Sequence, residues 1–298
     1  MQIILKQLSI LYIFLLSGWL IGKLKKDKAS HSDILSVLLV NILLPAKVFR
    51  SFAGNFTLSY LAEGYTLVLA SLVLLLVLVV IGALAPKILT KHPYERKVYG
   101  YSFAITNYAY LGYALIESVF GEEVLADFMF FAIPFIVYTY TMGYALLTGG
   151  KDPIKKLLNP ITVAMLLGMI CGLTGVTVPD VISSAVSMAS SCVGPLSMLL
   201  VGMTLSTFAL KELLTNKTAY VFCAVRLLVI PMLAYLVCRL AHLDTLMPMV
   251  IMITCMPCGL NTIVFPKMIG EDCKTGARLA LISHFFSVVT LPLWLSLI

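Results

Sequence analysis

Charge is what this sequence has least of. Only 12% of its 298 residues are Asp, Glu, Lys or Arg, against roughly 25% in a soluble domain. That is too few to wet a globular surface. The net charge of +7 does not imply nucleic acid, because the basic residues sit in short clusters between apolar blocks and not along one polar face. No Walker motif, H-E-x-x-H, G-x-S-x-G or G-x-G-x-x-G occurs. ATP drive and the commoner hydrolytic chemistries therefore lack support, and no cofactor or metal is expected. The start of the chain, Met1 to Leu5, lacks a basic n-region, so the first apolar block reads as a retained span. Seven cysteines, an odd number lying mostly in apolar blocks, do not suggest a disulfide framework. Cys255-Met256-Pro257-Cys258 has redox spacing, but its apolar setting argues against an accessible thiolate.

What is there is hydrocarbon: 60% hydrophobic residues and a mean hydropathy of +1.01. The apolar residues fall in blocks near the length that crosses a hydrocarbon core of about 30 Å. Ten spans are expected, at residues 3–22, 34–51, 60–85, 98–118, 124–147, 159–177, 181–208, 218–241, 246–268 and 276–297. Helices satisfy their backbone inside lipid, and stretches such as Leu67 to Ile81 lack the alternation of a barrel strand. The loops after spans one, three, five, seven and nine, with the adjoining span ends, hold 16 of the 21 lysines and arginines. Those loops are expected to be cytoplasmic and both termini outside, in a multi-pass protein of the cell (inner) membrane.

The polar break from Thr148 to Leu158 divides the chain into residues 1–147, a cytoplasmic linker 148–158, and residues 159–298. The halves share features at a nearly constant offset. Gly18 and Gly22 recur as Gly168 and Gly172, and Pro45 as Pro195, each displaced by 150. Gly121-Glu122-Glu123 matches Gly270-Glu271-Asp272, and Asn107 pairs with Asn261. Chance agreement is the bland alternative, since Gly and Pro are common in membrane helices. If the repeat holds, five spans return the chain to the other side, so the second half enters inverted. That is the architecture of many alternating-access transporters.

Interrupted helices mark transporter sites, and spans four and nine are the expected ones. Span four carries Thr106, Asn107 and Gly112; span nine carries Pro257, Gly259 and Asn261. Pro257 lacks an amide hydrogen, Gly259 removes side-chain restraint, and half-helix N-termini favour an anion. Asn107 and Asn261 are neutral donors at membrane depth for a substrate carboxylate; their bland role is to cap broken ends or to bond across helices. Lys47, after Pro45 in span two, either offers charge to an anion or snorkels to the interface beside Arg50. Glu117 is a proton-coupling carboxylate or an interfacial anchor. His284 relays protons or is hydrogen-bonded packing. Arg226 in span eight reads as structural, within reach of the cytoplasmic interface.

At these residues the sequence resembles the auxin efflux carrier family, including its prokaryotic members. Leu44-Pro45-Ala46-Lys47-Val48-Phe49 is similar to that family's L-P-A-x-x-F. Thr106-Asn107 through Leu115 is similar to S-N-x-x-[FY]-L-G-x-P-L, Met256-Pro257 through Asn261 to M-P-x-x-x-N, and Leu291-Pro292-Leu293-Trp294 also fits. The resemblance implies an all-α membrane protein of ten helices in two inverted five-helix repeats, with helices four and nine crossing at their breaks. It also implies transport of small organic anions such as auxin or small carboxylates; the short central loop looks prokaryotic. Ala114 stands where the family has proline, and Lys47 is unusual in the span-two pattern. The expected partners are a small organic anion and the lipid bilayer, with a homodimer left open. Two alternatives remain: a sodium-coupled symporter of amphipathic acids with a similar fold, and a non-transporting sensor, for which an appended signalling domain would be expected. An intramembrane enzyme lacks a paired nucleophile and base.

Overall fold

The computed structural model describes residues 2–24, 28–150, 158–268 and 271–298. Lys25 and Lys26 of the first basic loop, Gly270, and Lys151, Asp152, Pro153, Lys155 and Lys156 of the expected linker lie outside the described residues. Among the described residues the chain is helical, apart from turns, short connections and one isolated β-bridge.

In chain order the main helices are α1 (Gln2–Leu24), α2 (Ser32–Asn55), α3 (Leu58–Leu84, continued by Pro86–Leu89), α4 (Pro93–Ala104) and α5 (Tyr113–Phe120). They continue with α6 (Glu122–Phe131), α7 (Ile133–Thr148), α8 (Pro160–Thr174), α9 (Asp180–Ser206) and α10 (Lys217–Leu240). The last three are α11 (Met247–Cys255), α12 (Asn261–Met268) and α13 (Lys274–Leu295). Among the described residues six helices are long and apolar enough to cross a membrane: α1, α2, Gly64–Leu89 of α3, α9, α10 and α13. The pair α6 and α7, bent by 52°, makes a seventh if it is one span. The apolar α8 is shorter, at 15 residues. Side-chain caps start three of the helices: Thr57 accepts from Tyr60 N–H, Asn159 from Ile161 and Thr162 N–H, and Asn216 from Ala219 N–H. Such caps satisfy amides that have no partner within the helix.

Prolines account for several of the places where these helices deform. A proline removes one i→i−4 bond and crowds the carbonyl four residues back. Pro45 follows a π-helical turn over Leu39–Leu43, and Pro231 follows another over Val225–Val229. Trp294 Nε1 covers the Leu227 carbonyl four residues before Pro231, at 2.7 Å. Pro134 sits just beyond the 52° bend, and Pro195 just after Cys192, where α9 divides into Asp180–Ser191 and Val193–Ser206. The sequence predicts interruptions in spans four and nine alone. Spans two, five, seven and eight are distorted as well, each beside its own proline.

Close helix contacts through glycines organise the bundle. Gly18 and Gly22 of α1 lie against Leu199 and Ser206 of α9, and Gly202 of α9 lies against Leu15 and Trp19 of α1. A Cβ on Gly202 would fall 1.9 Å from the Leu15 carbonyl oxygen. Gly168 and Gly172 of α8 lie in the same manner against the backbone of Phe49, Phe52 and Phe56 at the end of α2. Small residues let backbones approach where the surrounding lipid supplies no hydrophobic drive.

Candidate functional site

The expected spans four and nine are each split, and the two splits touch. Between α4 and the π-helical turn Tyr108–Gly112 the backbone is extended at Ile105 (φ −113°, ψ 126°). Between α11 and α12 it is extended at Met256 (φ −65°, ψ 147°). Thr106 and Cys258 form an antiparallel bridge, and Asn107 N–H donates to Pro257 O at 2.7 Å. Thr106 Oγ1 donates to Ile253 O at 3.1 Å, and Ser283 Oγ of α13 accepts from Cys258 N–H at 3.0 Å. Extended backbone at membrane depth is costly unless paired, and each break supplies partners to the other. Gly259 eases the approach: a Cβ there would lie a tight 3.0 Å from Thr106 O.

The two asparagines head the second half-helices. Asn107 is buried; its Oδ1 accepts from Leu111 N–H at 3.4 Å and its Nδ2 lies 2.9 Å from His284 Nε2. His284 Nδ1 is 2.7 Å from Ala280 O, a contact that puts the ring proton on Nδ1. Nε2 is then an acceptor for the Asn107 amide. Asn261 Nδ2 donates to Tyr101 Oη at 3.1 Å. His284 therefore belongs to the crossing. Tyr101 belongs there too, and no pattern in the sequence distinguishes it from the other tyrosines.

The remaining expected site residues divide. Thr106, Asn107, Pro257, Gly259 and Asn261 come together. Gly112 closes the π-helical turn through its N–H to Asn107 O at 3.0 Å, and a Cβ there would meet only ordinary contacts. The break lies several residues before it. Pro45 is buried at the head of Leu44–Asn55. Lys47 is buried and forms an ion pair with Glu117, some ten residues beyond Asn107, or roughly 15 Å along a helix. Arg50 pairs with Glu122 at 2.7 Å. These charges tie α2 to α5 and α6, and Lys47 does not join the asparagines. Arg226 is fully buried and does not reach an interface; it bonds to Ser102 O and Thr254 O beside the breaks.

A cavity of about 490 Å³ opens beside the crossing, between α1, the end of α9 and α13. Leu8, Tyr12, Trp19, Leu281, His284 and Phe285 are among its walls. His284 thus faces the cavity and bonds Asn107 at once. Tyr12 Oη donates to His284 O at 2.7 Å. A second space, of about 10 Å³, is bounded by Val48, Tyr108, Tyr113, Ile136, Tyr140 and Ile161 among others.

Comparison with known proteins decides what this architecture belongs to. The sequence model of a family described as "membrane transport protein", that of the auxin efflux carriers, matches residues 3–152 and 144–295. The chain belongs to this family. It is also similar to an uncharacterized transporter of Methanocaldococcus jannaschii, with 27% identity over 96% of each chain. Both findings point to a transporter and away from an enzyme. In this transporter the two matched stretches meet at residues 144–152, beside the polar break of the sequence. Three of the residues that carry the resemblance seen in the sequence also build the crossing: Asn107 in one break, and Pro257 and Asn261 in and after the other.

Proposed function

We propose that this chain is a secondary transporter of small organic anions, working by alternating access, with its substrate site at the crossing of the two breaks. The observation that carries the reading is the bond from Asn107 N–H to Pro257 O at 2.7 Å, which places both asparagine-headed half-helices at one point. Half-helix N-termini favour an anion. Each asparagine amide has two hydrogens, so bonding His284 or Tyr101 still leaves a donor for a carboxylate. Thr106 and Gly259 keep the extended backbones close enough for both donors to act together.

In this reading α4 with α5, and α11 with α12, each count as one broken span. α6 with α7 is one bent span and α8 a short one, which brings the six long helices to ten. The chain is then residues 1–147 and 159–298 as inverted repeats around a cytoplasmic linker at 148–158, with both termini outside. The packing supports this. An exchange of repeats turns the contact between spans one and seven into that between spans six and two, and both are made through glycines at the expected offset. The larger cavity lies between spans ten and one, and the smaller at spans five and six, the related place. Two spaces at related positions are in keeping with a repeat relation between the halves. The largely apolar wall favours a carboxylate with an apolar body. Lys47 and Glu117 act on this account as a charge pair that closes one side, with Glu117 placed to exchange a proton when the pair parts.

Uptake into proteoliposomes across a panel of mono- and dicarboxylates tests the proposal. The expected result is saturable uptake of at least one carboxylate, reduced about tenfold or more by Asn261→Ala, as for the loss of one charge-assisted hydrogen bond. Transport of no anion would sink the function. Undiminished transport by Asn261→Ala would sink the site.

A further inference from the structure

Arg226 is a buried cation with no carboxylate within ion-pair distance among the described residues. Its guanidinium reaches two helices. Nε donates to Ser102 O at 3.2 Å and Nη1 to Thr254 O at 2.6 Å, while Nη2 is buried and has no partner among the described residues. Ser102 lies in the last turn of α4 and Thr254 in the last turn of α11. One side chain therefore caps the carbonyl ends of both first half-helices, immediately before both breaks.

Those carbonyl ends each carry about half a negative charge, and the amide ends of the following half-helices about half a positive one. Without a cation the carbonyl ends just before the breaks oppose the amide ends that follow them and weaken their pull on an anion. Arg226 offsets both carbonyl ends, whereas at the Asn107 amide end the bonded partners are neutral, Pro257 O and the asparagine's own Oδ1, so the positive character of the amide ends prevails. A planar fork suits two diverging carbonyls where an ammonium would act as a point charge.

We propose that Arg226 is the residue that makes the crossing select anions, acting through the half-helices it caps and not by touching the substrate. The proposal rests on the crossing being the substrate site, and it adds a second, mechanical consequence: the two breaks are held together by one guanidinium.

Two measurements on purified full-length protein test it, using Arg226→Gln and Arg226→Lys. In proteoliposomes, uptake of benzoate is compared with benzamide and uptake of malonate with malonamide. Arg226→Gln is expected to lose the preference for carboxylate over amide, and Arg226→Lys to keep it with slower uptake. An Arg226→Gln protein that is monodisperse and still prefers the carboxylate overturns the proposal. If that variant does not fold, loss of the preference in Arg226→Lys overturns it instead. Hydrogen–deuterium exchange over residues 104–108 and 256–261 reads the mechanical part. Faster exchange at both breaks in Arg226→Gln is expected; wild-type protection at both removes Arg226 as their tie. If the wild-type protein takes up no carboxylate, the substrate-site reading and anion selection fall together, while exchange still decides the tie.

Discussion

At the scale of single residues, the buried charges separate by what they face. Lys47 is 2% exposed and Glu117 29%, so the lysine depends on the pair more than the carboxylate does. Glu117→Gln strands the ammonium. It should lower stability by about 1–3 kcal/mol, the cost of an unmatched charged partner, discounted because Glu117 partly meets solvent. Removing both charges, as Lys47→Met with Glu117→Gln, should recover most of the loss, since a matched apolar pair avoids the desolvation penalty. Thermal midpoints in detergent would check this, and a double variant no better than the single would contradict the pairing. The sequence supplied both residues as candidates but not as partners, because seventy positions separate them. The asparagines were legible, since polar side chains at membrane depth stand out against hydrocarbon. Arg226 was legible as an intramembrane cation but misplaced, because the two carbonyls that hold it come from helices distant in sequence.

At the scale of elements, the first break is the instructive one. The family pattern has proline where Ala114 stands, and Gly112 looked like the weak point in its absence. The chain instead leaves the helix at Ile105, and the other break holds it there through Thr106 and Asn107. Tertiary pairing, not a local breaker, makes the interruption, which is why composition alone could not place it. Pro257 and Gly259 did announce the second break, since both act locally. The place of the missing proline is nonetheless prepared. A proline at 114 would free the Tyr110 carbonyl four residues back, and Ser197 Oγ, whose one hydrogen is shared between the Tyr110 and Gly194 carbonyls, each 2.9 Å from Oγ, can turn to that oxygen. Ala114→Pro should therefore fold with a thermal midpoint close to wild type, well short of the loss of about 3 kcal/mol usual for proline inside a helix. A loss of that full size would mean that Ser197 does not cover the carbonyl. The π-helical turns before Pro45 and Pro231 and the bend at Pro134 follow from the same local argument, whereas the turn over Thr139–Gly143 has no proline after it.

At the scale of the whole molecule, hydropathy located every apolar helix, because the period of the pattern is irrelevant when whole blocks are buried in lipid or protein. The partners of those helices were less visible. Gly18, Gly22, Gly168 and Gly172 identified themselves by their offset, yet only the structure matches them to α9 and to the end of α2. The cavity beside His284 had no sequence signal, since it is a gap between helices that no motif encodes. What joins the scales is one cluster. The paired breaks, the two asparagines, His284 and Arg226 meet where the two breaks touch, with a cavity beside His284. The most direct test is an electron cryomicroscopy structure of the protein with a carboxylate that it transports. The account predicts density for the carboxylate within hydrogen-bond distance of Asn107 or Asn261, continuous with the cavity lined by Tyr12 and His284. Density seated elsewhere, with both asparagines keeping only the partners they have here, would contradict it.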